Sequence, residues 1–436
     1  MSNLLNLGCF HILTTKETDH DYHVKVEIIP APTACQECGS TNIVGGGRQE
    51  TMIHDTPMHG KRVAIYVQAR RIRCRDCGKT LTESIPEAHK GYRVTPRLYG
   101  YIAKKAYETT YVSVAKEVGV SEATVRRIFG EKRKNMADIF QFETPEWMGI
   151  DEIHCDGKYY CVITNIEHNK VFDIAESRKK EFLTHYLFKR FTKEDRSLVK
   201  CVAMDMWDPY RTTIYSMFPN AAVVVDKFHV LSGVNYCLET VRKAIGRSLT
   251  SGQKRGLMRS RHILLKRPVN LDDKDRLLLD VWTRNFPHLG EAYEAKERFY
   301  RIYDCMTVSE AEEAYMDWLR SLSDAAREDF KSLITTMGNW HHEIMMHFEH
   351  PVTNAYTESL NGLIRFIQRE GRGYKFEALR AKILYNHGTH NFDAPKQERM
   401  SPGAWGYYRH PVSTEPRKLY GVDIATLLRF QEEGRL

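Results

Sequence analysis

A multidomain α+β chain is the fold class this sequence predicts, and three observations predict it. A Cys-x-x-Cys-Gly element occurs twice near the N-terminus, a pair of amphipathic stretches joined at a glycine follows, and from Trp147 onward short apolar runs alternate with helical ones in the order β-β-β-α-β-α-β. At 436 residues the chain exceeds what one hydrophobic core supports, so several domains are expected. With 42% hydrophobic and 28% charged residues it reads as globular, and with no apolar run of membrane-spanning length a membrane partner is not expected. The formal charge of +8 is a modest excess, so its placement along the chain says more than its size. Six of the ten cysteines stand singly, several inside apolar runs, as reduced buried cysteines do; with no leader-like N-terminus this predicts a cytoplasmic protein.

Residues 1–90 carry the first element. Cys35-Gln-Glu-Cys38 precedes Gly39 and Cys74-Arg-Asp-Cys77 precedes Gly78. Each knuckle aims two thiolates at one point, and the glycine relieves the backbone where the turn needs a positive φ, so the four cysteines predict a closed tetrahedral Zn2+ site. A single CxxC is often a redox pair, but two copies at this spacing favour structural zinc. Between them Val63, Ile65 and Val67 alternate as in a strand of a zinc ribbon, and Lys61, Arg62, Arg70, Arg71, Arg73 and Arg75 crowd the same segment as candidates for phosphate contact.

Residues 91–145 read as a helix-turn-helix. Val114, Ala115 and Val118 form one apolar stripe, Gly119 supplies a left-handed turn, and Ser121 caps a second helix with Val125 and Ile128 on its inner face. In such a motif the second helix enters the major groove of double-stranded DNA, which places Ser121, Glu122, Thr124, Arg126 and Arg127 toward bases or phosphates.

The strand-rich pattern over 146–235 is the element order of a ribonuclease-H-like α/β core. Three acids fall in or at the ends of its strands: Asp151, Asp205 and Asp226. A carboxylate there is costly unless it is paired or binds a cation. About 130 residues then separate Asp226 from Glu358; their composition predicts an all-α insertion over 236–350. Within it residues 240–270 hold nine Lys or Arg and no acid, a candidate phosphate track that includes Arg255, Arg259 and Arg261. Trp282, Phe286, Tyr293, Tyr300 and Trp318 are expected to pack helices together, and His229, His341 and His342 receive no role. The core resumes over 351–392 with a helix starting near Asn354, whose buried stripe is Leu360, Ile364 and Ile367 and whose other face aligns Glu358, Asn361, Arg365 and Arg369. Residues 393–436 are expected to be a tail.

Carboxylates in this pattern suit hard cations. Breaking and re-forming phosphodiesters calls for two ions about 4 Å apart, one activating the attacking oxygen and one stabilising the leaving oxygen. Asp151 is the expected bridge, with Asp205 and Glu358 completing one ion each; Asp226 is a further acid that can take the place of Asp205.

The segments GIDE at 149–152, DMWDPY at 205–210, VVVDKFHV at 223–230 and TNAYTESLNGLIR at 353–365 resemble the ISL-three family of insertion-sequence transposases, whose order of zinc-binding N-terminus and helix-turn-helix is also the order here. Thr353 stands where that family usually has serine. The resemblance implies a DDE transposase using Mg2+ or Mn2+, with Asp151, Asp205 and Glu358 as its triad. It would act on the terminal inverted repeats of a bacterial element and on target DNA, as a homodimer associated with the nucleoid. Two other readings share the same residues: a zinc-dependent DNA-binding regulator with an inactive core, and a metal-dependent nuclease without strand transfer. The intact acid set argues against the first, and the separate sequence-reading modules argue against the second.

Overall fold

The computed structural model describes residues 6–139 and 143–385, so the tail expected over 393–436 lies outside the described residues. The described chain forms two compact units, residues 6–139 with 367–385 and residues 143–366.

The first unit begins with a five-stranded sheet of β1 (Phe10–Glu17), β2 (Asp21–Ile28), β3 (Ile43–Met58), β4 (Lys61–Cys74) and β5 (Thr80–Thr82), in the order β1-β2-β4-β3 with β5 on β4. β2 and β4 are parallel, and the other neighbours are antiparallel. The alternation read in the sequence is what buries one face: Val63, Ile65 and Val67 pack with Val24, Val26 and Ile53. His59 and Gly60 both take positive φ where β3 turns into β4, matching the twist of a tight hairpin.

Three helices follow, α1 (Pro96–Glu108), α2 (Tyr111–Val118) and α3 (Glu122–Ile139). Thr95 caps α1, accepting from the Leu98 N–H while its hydroxyl donates to Asp55, and Pro96 fills the first helical position. Gly119 ends α2 at φ 78°, its N–H donating to the Ala115 carbonyl, and the Ser121 hydroxyl accepts from the Thr124 N–H at the start of α3. Val114, Ala115, Val118, Val125 and Ile128 are all buried.

The second unit starts with β6 (Trp147–Cys155), β7 (Lys158–Asn165) and β8 (Lys170–Ala175), continues through α4 (Lys180–Arg190), α5 (Lys193–Leu198), β9 (Cys201–Met204), α6 (Asp208–Met217) and β10 (Ala222–Val225), and enters α7 (Lys227–Ile245). The sheet order is β10-β9-β6-β7-β8: an antiparallel meander β6-β7-β8 with β9 and β10 added in parallel on the other side of β6. Compared with the pattern read from the sequence, the short α5 is additional. Its Thr192–Asp195 capping box is a start signal that a period count over six residues cannot detect.

The region between α7 and the glutamate segment is helical: α8 (Ser251–Arg259), α9 (Arg261–Leu265), α10 (Asp273–Asn285), α11 (Pro287–Ile302), α12 (Val308–Arg320), α13 (Asp324–Asp329), α14 (Lys331–Asn339) and α15 (His341–Met345). Its aromatics pack inward. Trp318 is buried against Phe299, Tyr315 and Phe330, and Trp282 stacks on Phe286 while its Nε1–H donates to Ser260. Then comes α16 (Ala355–Glu370), with Leu360, Ile364 and Ile367 buried as its periodicity requires.

The last described helix, α17 (Phe376–Tyr385), belongs to the first unit, a different partition from the 351–392 segment expected to complete the core. Buried Lys382 is the physical reason: its ammonium donates to the carbonyls of Ala106, Tyr107 and Thr109, where α1 ends with unsatisfied acceptors.

Candidate active site and metal centre

In the first unit Cys35, Cys38, Cys74 and Cys77 converge, with one ligand atom from each within 4.8 Å of all the others. The Sγ atoms of Cys35 and Cys77 are 3.8 Å apart and those of Cys38 and Cys74 3.6 Å, close to the edge of about 3.8 Å that a tetrahedron with Zn–S bonds of about 2.3 Å demands. Both knuckles are built as the sequence predicts: Gly39 and Gly78 take φ of 75° and 72°, and the N–H of Gly39 donates to the Cys35 carbonyl. N–H groups of the second knuckle, at Cys77 first, favour the Cys74 thiolate and bring its pKa down to about 7. At Cys38 an N–H from Ser40 acts the same way, but the neighbouring sulfurs override it and push the thiol up to about 12. Four such sulfurs cannot all be thiolates without a cation among them. The donor set therefore fits zinc.

The basic residues of this sheet divide. Arg62 is bidentate to Asp21 at 2.7 and 2.8 Å, Lys61 pairs with Glu17, and Arg70 serves Glu27, Glu83 and the Ile28 carbonyl. Arg71, Arg73 and Arg75 are exposed and make no ion pair among the described residues. On α3, Arg127 donates to the Gly91 carbonyl and lies over the Tyr92 ring, whereas Arg126 pairs with Glu122 on the exposed face. Thr124 and Ser121 exchange a hydroxyl hydrogen bond at 3.0 Å, spending part of their capacity on the cap.

The second unit gathers its acids by register. Ile150 of β6 pairs with Met204 of β9, and Met204 pairs with Val225 of β10; the next residue on each strand line is Asp151, Asp205 or Asp226. Strand alternation puts these acids on the face opposite Ile150, Met204 and Val225, whose side chains enter the main core. α16 lies over the acidic face. Its approach depends on Gly149, because a Cβ there would meet Thr164 and come within 2.7 Å of Asn354 Oδ1 and Thr357 Oγ1. With no side chain in the way, the Asn354 Nδ2 donates to the Ile150 carbonyl, Thr164 and Thr357 join hydroxyls at 2.8 Å, and the Asn361 Nδ2 donates to Asp151 at 2.7 Å.

Glu358, in the first turn of α16, joins Asp226 and His229 in a group whose ligand atoms lie within 4.8 Å of one another. His229 Nδ1 is 3.0 Å from Asp205 Oδ1. Burial, with the Asp205 charge beside it, raises the pKa of Asp151 to about 7; burial first, with the Asp226 charge among its neighbours, does the same to Asp205. Burial and Asp226 likewise push Glu358 up. Asp226 differs, since both its oxygens already accept backbone N–H groups, from Phe228 at 3.0 Å and Asn354 at 2.9 Å.

His229 is the site residue that sequence reading passed over. The available signal was its spacing: an aspartate capping a helix, with histidine three residues on, puts both on one side of the first turn. In the basic run of the helical region, Arg261 and Arg242 pair with Glu239, Lys266 with Asp275 and Arg267 with Asp304. Lys243, Arg247, Lys254, Arg255 and Arg259 are exposed without an ion pair among the described residues. Arg365 and Arg369 are exposed on α16.

A thiolate ribbon followed by an α/β sheet bearing a carboxylate cluster defines a metal-binding protein. Residues 148–383 match the ISL3 family profile described as Transposase, and residues 31–77 match the one described as the zinc-finger of transposase IS204/IS1001/IS1096/IS1165. The chain belongs to the ISL3 (ISL-three) family of insertion-sequence transposases, and its four-cysteine cluster is the family's zinc ribbon. It is 23% identical over 355 residues to the transposase for insertion sequence element IS1001 of Bordetella parapertussis, covering 79% of this chain and 87% of that one. No helix among the described residues is long and apolar enough to cross a membrane.

Proposed function

We propose that this transposase cuts and rejoins DNA strands at the terminal inverted repeats of its element, through a ribonuclease-H-like site in which Asp151, Asp205 and Glu358 hold divalent cations, Mg2+ or Mn2+. The observation that carries the reading is the alignment of Asp151 and Asp205 on neighbouring parallel strands beneath the Glu358 helix, with burial raising all three carboxyls. Carboxylates this close repel when ionised, and a hard cation relieves that repulsion. Bound there, two such ions would supply the Lewis acidity that activates the attacking oxygen and stabilises the leaving one.

The protein's own part is positioning. Asn361 orients Asp151, His229 stands beside Asp205, and Asp226 ties the start of α7 to the start of α16, which sets where Glu358 stands. Asp205 is preferred to Asp226 as the second triad acid because it follows β9, the strand paired directly with β6, whereas Asp226 follows β10 one strand further out and already accepts two backbone N–H groups. In this reading α2 and α3 are a helix-turn-helix that presents α3 to the major groove, with Arg71, Arg73 and Arg126 facing phosphate from the first unit. Arg255, Arg259 and Arg365 do the same from the second.

The test is strand cleavage and joining on duplexes carrying the element's ends, with Mg2+ or Mn2+. Asp151→Asn, Asp205→Asn and Glu358→Gln are each expected to lose on the order of a thousandfold in rate, equivalent to about 4 kcal/mol of transition-state stabilisation, while still binding the duplex. Full activity in any of the three removes that residue from the triad. Cleavage without joining in the wild type supports the nuclease reading.

A further inference from the structure

In the first unit a cleft of about 780 Å³ opens between the start of α2, the exposed side of α3 and the turn that joins α16 to α17. Its charges are one-sided once internal pairs are removed. Arg126 pairs with Glu122 and Arg133 with Glu377, leaving Lys116, Arg372 and Lys375 against Glu370.

The turn is built to hold one shape. Arg372 and Gly373 take φ of 51° and 92°, and Gly371 leaves the space that the Tyr374 ring fills. That ring packs edge-on to Tyr111 of α2 with centroids 5.3 Å apart and lies under the Lys382 ammonium at 4.9 Å, while the Gln368 Nε2 donates to the Tyr374 carbonyl at 3.2 Å. Arg372 and Lys375 flank this anchored tyrosine and are exposed. Two long cations on a fixed support, beside a third on α2, have lost less freedom to binding than cations on a loose loop would have to lose.

We propose that this cleft is a second phosphate-binding surface of the DNA-reading unit: Lys116, Arg372 and Lys375 hold the sugar-phosphate backbone of duplex DNA next to the bases that α3 meets. The chain that follows the catalytic glutamate thereby contributes to end binding. The proposal rests on reading α2 and α3 as the DNA-reading helices. Phosphate contacts of this kind set register and affinity without reading sequence, so their loss weakens all duplexes alike.

The experiment measures binding of the full chain to a fluorescent duplex carrying the element's terminal sequence, and to a scrambled duplex, across a salt series. Arg372→Asn with Lys375→Gln keeps a residue tolerant of positive φ at 372 and is expected to leave the melting temperature unchanged. It should lower the affinity for both duplexes by a similar factor and flatten the slope of log K against log salt by about 2; Lys116→Gln should flatten it by about 1. Thr124→Ala, on α3 and outside the cleft, serves as the control for α3. If it impairs terminal-sequence binding while the 372/375 and 116 variants keep the wild-type slope, the cleft holds no phosphate and the proposal falls alone. If none of the variants changes binding, the helix-turn-helix reading falls with it.

Discussion

At the open end of the β3–β4 hairpin two local turns gather four thiols, whereas the carboxylates of the second unit come from four separated segments brought together by strand register and one helix. The difference lies in what each cluster needs from the rest of the fold. Each cysteine knuckle supplies its own N–H donors, so the ribbon's ligands are arranged within a few residues of themselves. The acids depend on Ile150, Met204 and Val225 being in step, and on α16 reaching the sheet over Gly149. A disturbance of the ribbon should stay local in geometry but be large in energy; one at the acidic site should act through distances.

The largest expected effect is therefore at the cysteines. Cys35→Ser or Cys74→Ser should lower bound zinc from one equivalent toward zero and remove a binding free energy on the order of 10 kcal/mol from the folding of the ribbon. Zinc content read by a chelating dye, together with proteolysis of residues 31–77, checks this. One full equivalent of tightly held zinc in either variant would falsify the four-thiolate site.

Gly149→Ala comes next. The added methyl has no room beside Asn354 and Thr357, so α16 must retreat, at a cost of about 1–3 kcal/mol in stability. Because Glu358 rides on that helix, strand cleavage should fall about 10- to 100-fold, although no proposed ligand has been touched. Wild-type cleavage in a folded Gly149→Ala protein would mean that α16 does not need this approach.

What the sequence made legible follows the same division. The ribbon could be read outright, because CxxCG carries its geometry within five residues, and the alternation of Val63, Ile65 and Val67 carries the strand. The helix cap at Ser121 and the stripe on α16 were legible for the same local reason. Register was not: nothing in the residues around Asp205 or Asp226 states which strand lies beside β6, a neighbour relation that only the sheet order supplies. Lys382 is the clearest case of a residue beyond sequence reading. It sits in an apolar helix of low amphipathicity, and its partners are carbonyls some 275 residues earlier. Ion pairs were equally hidden, which is why Arg62 and Arg70 looked free for phosphate when carboxylates in their own sheet already hold them.

The acidic site also predicts a pH signature of its own. Asp151 and Asp205 have folded pKa values near 7 against an ordinary 3.8, so between about pH 4 and 7 these two groups bind more protons in the metal-free folded chain than in the unfolded one. Their own contribution to stability should then fall as pH rises through that window, a trend read as the difference from Asp151→Asn. Divalent cation should reverse the trend, because it replaces the protons: the rise in melting temperature on adding Mg2+ should be small at pH 5, grow through pH 7, and vanish in Asp151→Asn. An equal Mg2+ shift at pH 5 and pH 8 would place the ion elsewhere.

The smallest effect is expected at Asp226, and it separates the two candidates for the second acid. Its carboxylate accepts the N–H groups of Phe228 and Asn354 at once, joining the first turn of α7 to the segment that leads into α16. Asparagine keeps one acceptor and turns a donor toward the other N–H, so Asp226→Asn should cost about 1–3 kcal/mol in stability. If Asp205 is the ligand, the same variant should retain cleavage within about tenfold at saturating Mg2+, since the geometry loosens but the cation's donors remain. Asp205→Asn should do the opposite, abolishing cleavage with little loss of stability, because relieving a buried like-charge cluster offsets the lost His229 contact. Inactivation of folded Asp226→Asn to the level of Asp205→Asn would move the second ligand one strand over, to β10, and leave Asp205 as the residue that only positions His229.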